Sequence, residues 1–121
     1  MRATAKRVER PELDATLVAL ADPVRRRVVD LLKVQPRRAG ELAELLGQRA
    51  PAMSKHLKVL RSGALIEAVN GSDDARVRVY RLRPERLEEL RDWLGDVRTF
   101  WNDQLGAFKA RVEAQSKARR R

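Results

Sequence analysis

Residues 51–60 read Pro51-Ala52-Met53-Ser54-Lys55-His56-Leu57-Lys58-Val59-Leu60, and this stretch decides the fold of the 121-residue chain. Met53, Leu57 and Leu60 recur at helical spacing, so they gather on one side of a helical wheel. The two lysines fall on the opposite side of the wheel. Pro51 is suited to the first turn of a helix. The pattern therefore predicts a helix over about residues 50–62, with one apolar face and one cationic face.

Three shorter helical patterns precede this helix. They span about residues 12–20, 23–34 and 39–46. Asp22 is a favourable N-cap for the second helix, and Gly47 is suited to the end of the third. Two short helices joined by a turn that contains glycine are typical of a helix-turn-helix.

A hairpin and a long helix are predicted to follow. Residues 65–69 and 76–82 are β-branched or alternating, and residues 70–75 between them are rich in turn formers. After Pro84 an apolar residue recurs at nearly heptad spacing to about residue 115. The predicted fold is mainly α with a small β-hairpin: a winged helix-turn-helix with a long C-terminal helix for dimerisation.

Charge divides the chain into a domain and two tails. The formal net charge is +10, of which residues 1–10 carry +3 and residues 117–121 carry +4. We therefore predict a basic N-terminal tail (1–11), one DNA-binding and dimerisation domain (12–115) and a basic C-terminal tail (116–121), with both tails disordered. An excess of this size makes a polyanion the first partner to consider.

Several classes of function are excluded by composition. The chain has no cysteine and one histidine, so disulfides, thiolate metal sites and paired-histidine metal sites are excluded. No apolar run is long enough for a membrane helix, and a cytoplasmic protein is expected. Ser54 and His56 point away from each other on the helix and form no catalytic pair. We predict no enzymatic activity, no cofactor and no metal.

The cationic helix fits the major groove of double-stranded DNA. In the second hairpin segment one strand face is predicted to carry Arg76, Arg78, Tyr80 and Leu82, and the other Val77 and Val79. Arg76 and Arg78 can lie along phosphates, although charge on an edge strand also protects it from pairing. Arg81 and Arg83 are expected to be structural. The predicted DNA-binding residues on these elements are Gln48, Arg49, Ser54, Lys55, His56, Lys58, Arg61, Arg76 and Arg78. Two alternatives remain open: a sequence-tolerant DNA- or RNA-binding architectural protein driven by its basic tails, and a winged helix used for protein contact.

Four segments resemble the ArsR-type winged helix-turn-helix transcription regulators. They are LADPVRRRVVDLL (20–32), GELAELLG (40–47), APAMSKHLKVLRSGALI (50–66) and VYRL (79–82). The resemblance implies a dimeric repressor in which Ser54, Lys55 and His56 contact DNA. It also places Arg25 on an arginine that often lies near the DNA backbone.

The chain departs from the metal-sensing members of this family. Their third helix carries cysteines, whereas residues 40–46 here contain none, and the last helix lacks the paired histidines of the zinc-binding members. The resemblance therefore implies a regulator that does not respond to metal. Arg49 stands where the family often has a serine cap, so a cation replaces the cap.

The apolar residues of the terminal helices predict a homodimer. A domain of this size cannot bury the whole seam of the last helix, so a second copy is its natural cover. The predicted dimerisation residues are Leu13, Leu17, Leu20, Leu87, Leu90, Leu94, Val97, Trp101, Leu105 and Phe108. Four of the five aromatic residues lie in this helix, and a pocket for an unknown small-molecule effector is the alternative use for them.

Overall fold

The computed structural model describes residues 9–70 and 72–120, and it confirms a winged helix-turn-helix with a long last helix. The helices are α1 (Pro11–Leu20), α2 (Pro23–Val34), α3 (Ala39–Leu45), α4 (Ala50–Ser62) and α5 (Glu85–Arg120). The strands are β1 (Arg37–Arg38), β2 (Ile66–Ala68) and β3 (Val79–Leu82). Residues 1–8 of the predicted N-terminal tail lie outside the described residues, as does Arg121.

Local side-chain and backbone signals set the helix ends. The Asp22 carboxylate accepts hydrogen bonds from the backbone N–H groups of Val24 (2.8 Å) and Arg25 (3.2 Å), as its predicted N-cap role requires. Gly47 follows α3 with φ +62°, a left-handed conformation in which glycine has no steric penalty. The Asp22 cap therefore marks the start of α2, and Gly47 begins the short turn that joins α3 to α4.

The end of α4 lies where the sequence predicts it, because Gly63 is the C-cap residue that follows Ser62. The left-handed residue is the next one, Ala64, with φ +58°. The Ala64 N–H donates to the carbonyl of Arg61 and the Leu65 N–H to that of Leu60. This pattern is a Schellman motif, whose left-handed position is one residue beyond the C-cap.

The core joins α2, α3 and α4 to the sheet. It consists of Ala19, Val28, Val29, Leu32, Leu42, Ala43, Met53, Leu57, Leu60, Leu65, Ile66 and Tyr80, all buried. The apolar face of α4 therefore points inward, and this packing turns its cationic face to solvent.

The sheet has one strand more than predicted, and the wing, which is the hairpin formed by β2, β3 and the residues between them, has shorter strands. The strand order is β1-β3-β2, with antiparallel pairing throughout. β1 has only two residues, too few to give an alternating pattern in the sequence. The predicted strand over 76–82 begins only at Val79, because residues 75–77 form a 3₁₀ turn in which the Asp74 carboxylate accepts a hydrogen bond from the backbone N–H of Arg76. Arg76 and Arg78 therefore do not share a strand face with Tyr80, contrary to the prediction.

α5 is longer than predicted. It continues to Arg120, so the described residues of the predicted C-terminal tail, 116–120, are helical rather than disordered. Gly95 and Gly106 do not interrupt it. Among the described residues, no helix is both long and apolar enough to cross a membrane.

The structure divides into two compact units, the body up to Glu89 and the part of α5 from Leu90 onward. The second unit contains no buried side chain in its described part. Leu94, Trp101, Leu105, Phe108 and Val112 are each between 47% and 59% exposed and follow the predicted seam. These exposed positions favour a partner surface over a closed aromatic pocket within one copy.

The leucines of α1 are not equally available to a partner. Leu13 is buried within the protomer, and Leu20 is half-buried against the core. Leu17 is 40% exposed, and the neighbouring Val18, which was not predicted, is 64% exposed. Of the three predicted dimerisation residues in α1, Leu17 is thus the most accessible.

Candidate nucleic-acid interface

The exposed side of α4 carries polar and cationic side chains. Met53, Leu57 and Leu60 are at most 3% exposed, and they fix which side faces solvent. Ser54, Lys55, Lys58 and Arg61 are all exposed. No acidic residue occurs in α4, so the field of these cations is not neutralised locally.

α4 and the wing enclose an open cleft of about 470 Å³. Its lining consists of Ser54, Lys58, Arg61 and Ser62 from α4 with Arg78 and Tyr80 from the wing. Every charged residue of this lining is a base. The Arg61 guanidinium carbon lies 6.0 Å from the centre of the Tyr80 ring, a cation–π distance that places the arginine over a buried aromatic side chain. The cleft is therefore suited to an anion.

The two wing arginines, Arg76 and Arg78, differ in their burial and their hydrogen bonds. Arg78 is half-buried, and its Nε and Nη2 donate to the carbonyl of Ser72 at 3.3 and 3.2 Å. Its guanidinium is thereby held at the cleft. Arg76 lies outside the cleft, with a 79% exposed side chain whose Nε is 3.9 Å from the Asp74 carboxylate. The two residues were predicted as equivalent contacts, but only Arg78 is held in place.

The residues before α4 also differ from each other. The Gln48 side chain donates to the carbonyl of Leu46 at 3.3 Å and is half-buried. Arg49 is the N-cap residue, makes no side-chain cap and is exposed. Arg49 thus presents a cation beside the helix N-terminus, whereas Gln48 is turned toward the preceding turn.

Two cleft residues were missed by the sequence analysis. Ser62 lies one helical turn after Lys58, and this spacing could have placed it on the same face of α4. Tyr80 was assigned a strand face but no role in the cleft. Its contribution depends on α4 packing across the sheet, which no local pattern in the sequence reveals.

Arg25 is engaged within the protein. Its Nε donates to the carbonyl of Ala19 at 2.7 Å and its Nη2 to that of Val18 at 3.2 Å. Its Nη1 lies 3.3 Å from Nδ1 of His56. The expectation that Arg25 lies near the DNA backbone came from the resemblance, whereas in the structure this guanidinium binds α1 and α4.

His56 lies on a flank of α4 rather than on its exposed face. The ring is half-buried and turned toward the N-terminal end of α2. The neighbouring Asp22 is affected by the same cluster. Desolvation raises the pKa of Asp22. Hydrogen bonds from the backbone of Arg25 and Val24 and the positive charges of His56 and Arg25 lower it, and together they outweigh desolvation. The net pKa lies below the ordinary value.

The arginines at the C-terminal end of β3 have carboxylate partners. Arg81 pairs with Glu67 on the adjacent strand, and Arg83 lies near both Glu67 and Glu85. These contacts give them a structural role, as expected. Within residues 9–70 and 72–120, no three histidine or acidic side chains are close enough to hold a metal ion.

Sequence comparison relates the chain to known regulators. The helix-turn-helix domain family matches residues 20–69. The HTH-type transcriptional regulator Rv2034 of Mycobacterium tuberculosis is 36% identical over 103 residues, which cover 84% of this chain and 90% of Rv2034. The transcriptional repressor SdpR of Bacillus subtilis is 30% identical over 76 residues, 63% of this chain and 81% of SdpR.

Solved structures give the same relationship. An ArsR-like transcriptional regulator from Rhodococcus sp. RHA1 has a TM-score of 0.71 and 27% identity, covering 85% of this chain and 92% of that one. A homodimeric winged helix-turn-helix DNA-binding domain from Mycobacterium bovis has a TM-score of 0.56 and 30% identity, covering 70% and 79%. The relatives are transcription regulators, which confirms the prediction of a non-enzymatic protein.

Proposed function

Because the chain belongs to the ArsR family of winged helix-turn-helix DNA-binding transcription regulators, we propose that it is a repressor that binds an inverted-repeat operator as a homodimer. The carboxylate-free cleft between α4 and the wing carries this proposal, because it combines a helix sized for the major groove with cations placed for the flanking phosphates. Similarity to the repressor SdpR supports the direction of regulation.

In this proposal each half of the operator is read by α4. Lys55 and Lys58 point away from the body and contact phosphates or guanine edges, while Ser54 bonds to a base or phosphate. Arg78 and Arg61 neutralise phosphates along the cleft, and Arg49 does so at the helix N-terminus. Arg76 makes a weaker contact because its side chain lies outside the cleft, beside the Asp74 carboxylate.

The homodimer is proposed to form through the seam of α5. Half-exposed leucine, tryptophan and phenylalanine side chains extend over about four turns of the helix, from Leu94 to Phe108, and need an apolar partner. The M. bovis domain, which is homodimeric, supports a second copy of this chain as that partner. Two α4 helices placed about 34 Å apart then reach successive major grooves on one face of the duplex.

The proposed repressor does not respond to metal. The absence of cysteine and the single histidine remove the donors that soft metals prefer. Repression follows from occupancy of a promoter, and we place the protein in the cytoplasm, where it has access to its operator.

Selection of binding sites from a random duplex library tests the proposal. The full-length chain is used at about 150 mM salt, which suppresses loose binding. Enrichment of an inverted repeat with half-site centres about 10 base pairs apart supports a dimeric reader of sequence. Retention of DNA without any enriched motif contradicts it and favours the architectural alternative.

A further inference from the structure

We infer that Arg25 is a positioning residue, which fixes the tautomer of His56 and joins the end of α1 to the recognition helix α4. The inference starts from one contact, the 3.3 Å separation between Arg25 Nη1 and His56 Nδ1. It concerns how α4 is held and what hydrogen-bonding group His56 presents. Its DNA-binding consequence rests on the proposed function, whereas the tautomer does not.

The chemistry of the two groups fixes the direction of this hydrogen bond. A guanidinium carries N–H donors and no acceptor. In the neutral ring Nδ1 of His56 therefore accepts, so it carries no proton. A neutral imidazole has one N–H, and here that proton belongs to Nε2. His56 is thus a donor at the nitrogen that does not face Arg25.

The guanidinium is itself held in place by α1. Its Nε and Nη2 donate to the carbonyls of Ala19 and Val18 at the last turn of that helix. Carbonyls at a helix C-terminus lack partners within the helix, and a cation there is favourable. The same side chain therefore spans from α1 to His56 on α4.

An Nε2–H donor suits the chemistry of DNA. Phosphate oxygens, guanine N7 and O6, and thymine O4 are all acceptors. The opposite tautomer would turn a lone pair toward these acceptors. Arg25 thus contributes to DNA binding through His56 and without touching DNA.

Nuclear magnetic resonance tests the tautomer directly, because the chain contains a single histidine. With ¹⁵N-labelled histidine, long-range ¹H–¹⁵N correlation is recorded at about pH 8.5, two units above the ordinary pKa of histidine. The wild type is expected to show a pyridine-like Nδ1 and a pyrrole-like Nε2. In Arg25→Ala both signals move toward the mixture of a free imidazole. A pyrrole-like Nδ1 in the wild type, or unchanged signals in Arg25→Ala, overturns the inference.

Arg26 provides a matched control. Its Nη1 also donates to carbonyls near the end of α1, those of Leu20 (2.7 Å) and Ala21 (3.0 Å), but no contact joins it to His56. Arg26→Ala is therefore expected to keep the wild-type imidazole signals. If Arg25→Ala does not fold, Arg25→Gln replaces it, because the amide retains donors for the α1 carbonyls but lacks the reach and the charge of the guanidinium.

Affinity for the selected operator tests the consequence for DNA binding. Arg25→Ala is expected to weaken binding about tenfold, the effect of one hydrogen bond to a charged group. In a His56→Ala background, Arg25→Ala should add no more than Arg26→Ala does. An undiminished tenfold loss in that background contradicts the positioning role. Absence of operator binding by the wild type refutes the proposed function, and the tautomer result then still stands.

Discussion

Removal of one cation from the cleft, the ammonium of Lys58, should lower the affinity for DNA by a predictable factor. Lys58 is exposed, lines the cleft and has no carboxylate beside it there. If it neutralises one phosphate, Lys58→Ala should weaken operator binding about fivefold at 150 mM salt and reduce the slope of affinity against salt by about one. Fluorescence anisotropy over a series of salt concentrations measures both quantities.

Lys33→Ala is the matched control for Lys58→Ala. It removes the same charge from an exposed helical position, where the ammonium lies 3.0 Å from the Asp30 carboxylate. Because it leaves the cleft unchanged, we expect wild-type affinity and slope. Equal losses in the two variants would show that net charge alone drives binding, which argues for the architectural alternative.

The N-cap of α2 makes stability depend on pH. The pKa of Asp22 is lowered in the folded state, so its stabilising effect is complete above the unfolded pKa of about 3.9 and is lost as pH falls through the lower folded value. Asp22→Asn keeps an acceptor oxygen but does not titrate. Thermal unfolding should therefore show the wild type more stable at pH 7, with the difference shrinking as the pH falls below about 3.9. A difference independent of pH is the contrary result.

At the scale of the element, the end of α4 stores backbone strain. Ala64 has φ +58°, where a side chain costs about 1–2 kcal/mol relative to the right-handed region. Part of this cost is offset, because alanine restricts the unfolded chain more than glycine does. Ala64→Gly should therefore raise the free energy of unfolding by about 0.5–1 kcal/mol, as measured by urea denaturation.

Two glycines provide the controls for this substitution. Gly47→Ala creates the same strain at φ +62° in open space and should destabilise the protein by a similar amount. Gly63 has φ −83°, and a Cβ there would meet its nearest atom at 3.6 Å. Gly63→Ala should therefore be nearly neutral. A destabilised Ala64→Gly would show that α4 does not end in the Schellman motif.

At the scale of the whole molecule, the α5 seam sets the oligomeric state. Trp101 lies on the seam and is 57% exposed in one copy. Replacing a large aromatic at a buried dimer contact costs about 3 kcal/mol, so Trp101→Glu should raise the dimer dissociation constant at least about 100-fold. Sedimentation equilibrium measures this constant, and operator affinity should fall with it.

Thr99→Glu tests whether the dimer depends on the seam of α5 and not on other faces of this helix. It adds the same charge two residues before Trp101, on the opposite side of α5. We expect it to leave the dimer intact. If both variants sediment as the wild type does, α5 is not the dimer interface and the proposed homodimer needs another surface.

The sequence alone determined the helices, their order and the cationic face of α4. Those features depend on local causes: apolar periodicity, the Asp22 cap, Gly47 after α3 and Pro51 in the first turn of α4. A helical wheel needs no knowledge of the rest of the chain. The winged helix-turn-helix followed from these helices and the hairpin pattern after them, and the ArsR family from the resemblance of four segments; both are confirmed.

Only the tertiary structure decided how the side chains of different elements meet. Arg25 was assigned to DNA, but Val18, Ala19 and His56 bind its guanidinium because α1, α2 and α4 converge there. The cleft joins Arg61 to Arg78 across elements distant in sequence. The wing strand was misjudged because the Asp74 cap and the two-residue pairing with β1 give no periodic signal. Contacts between distant segments depend on packing, and a local pattern does not specify which partner a side chain finds.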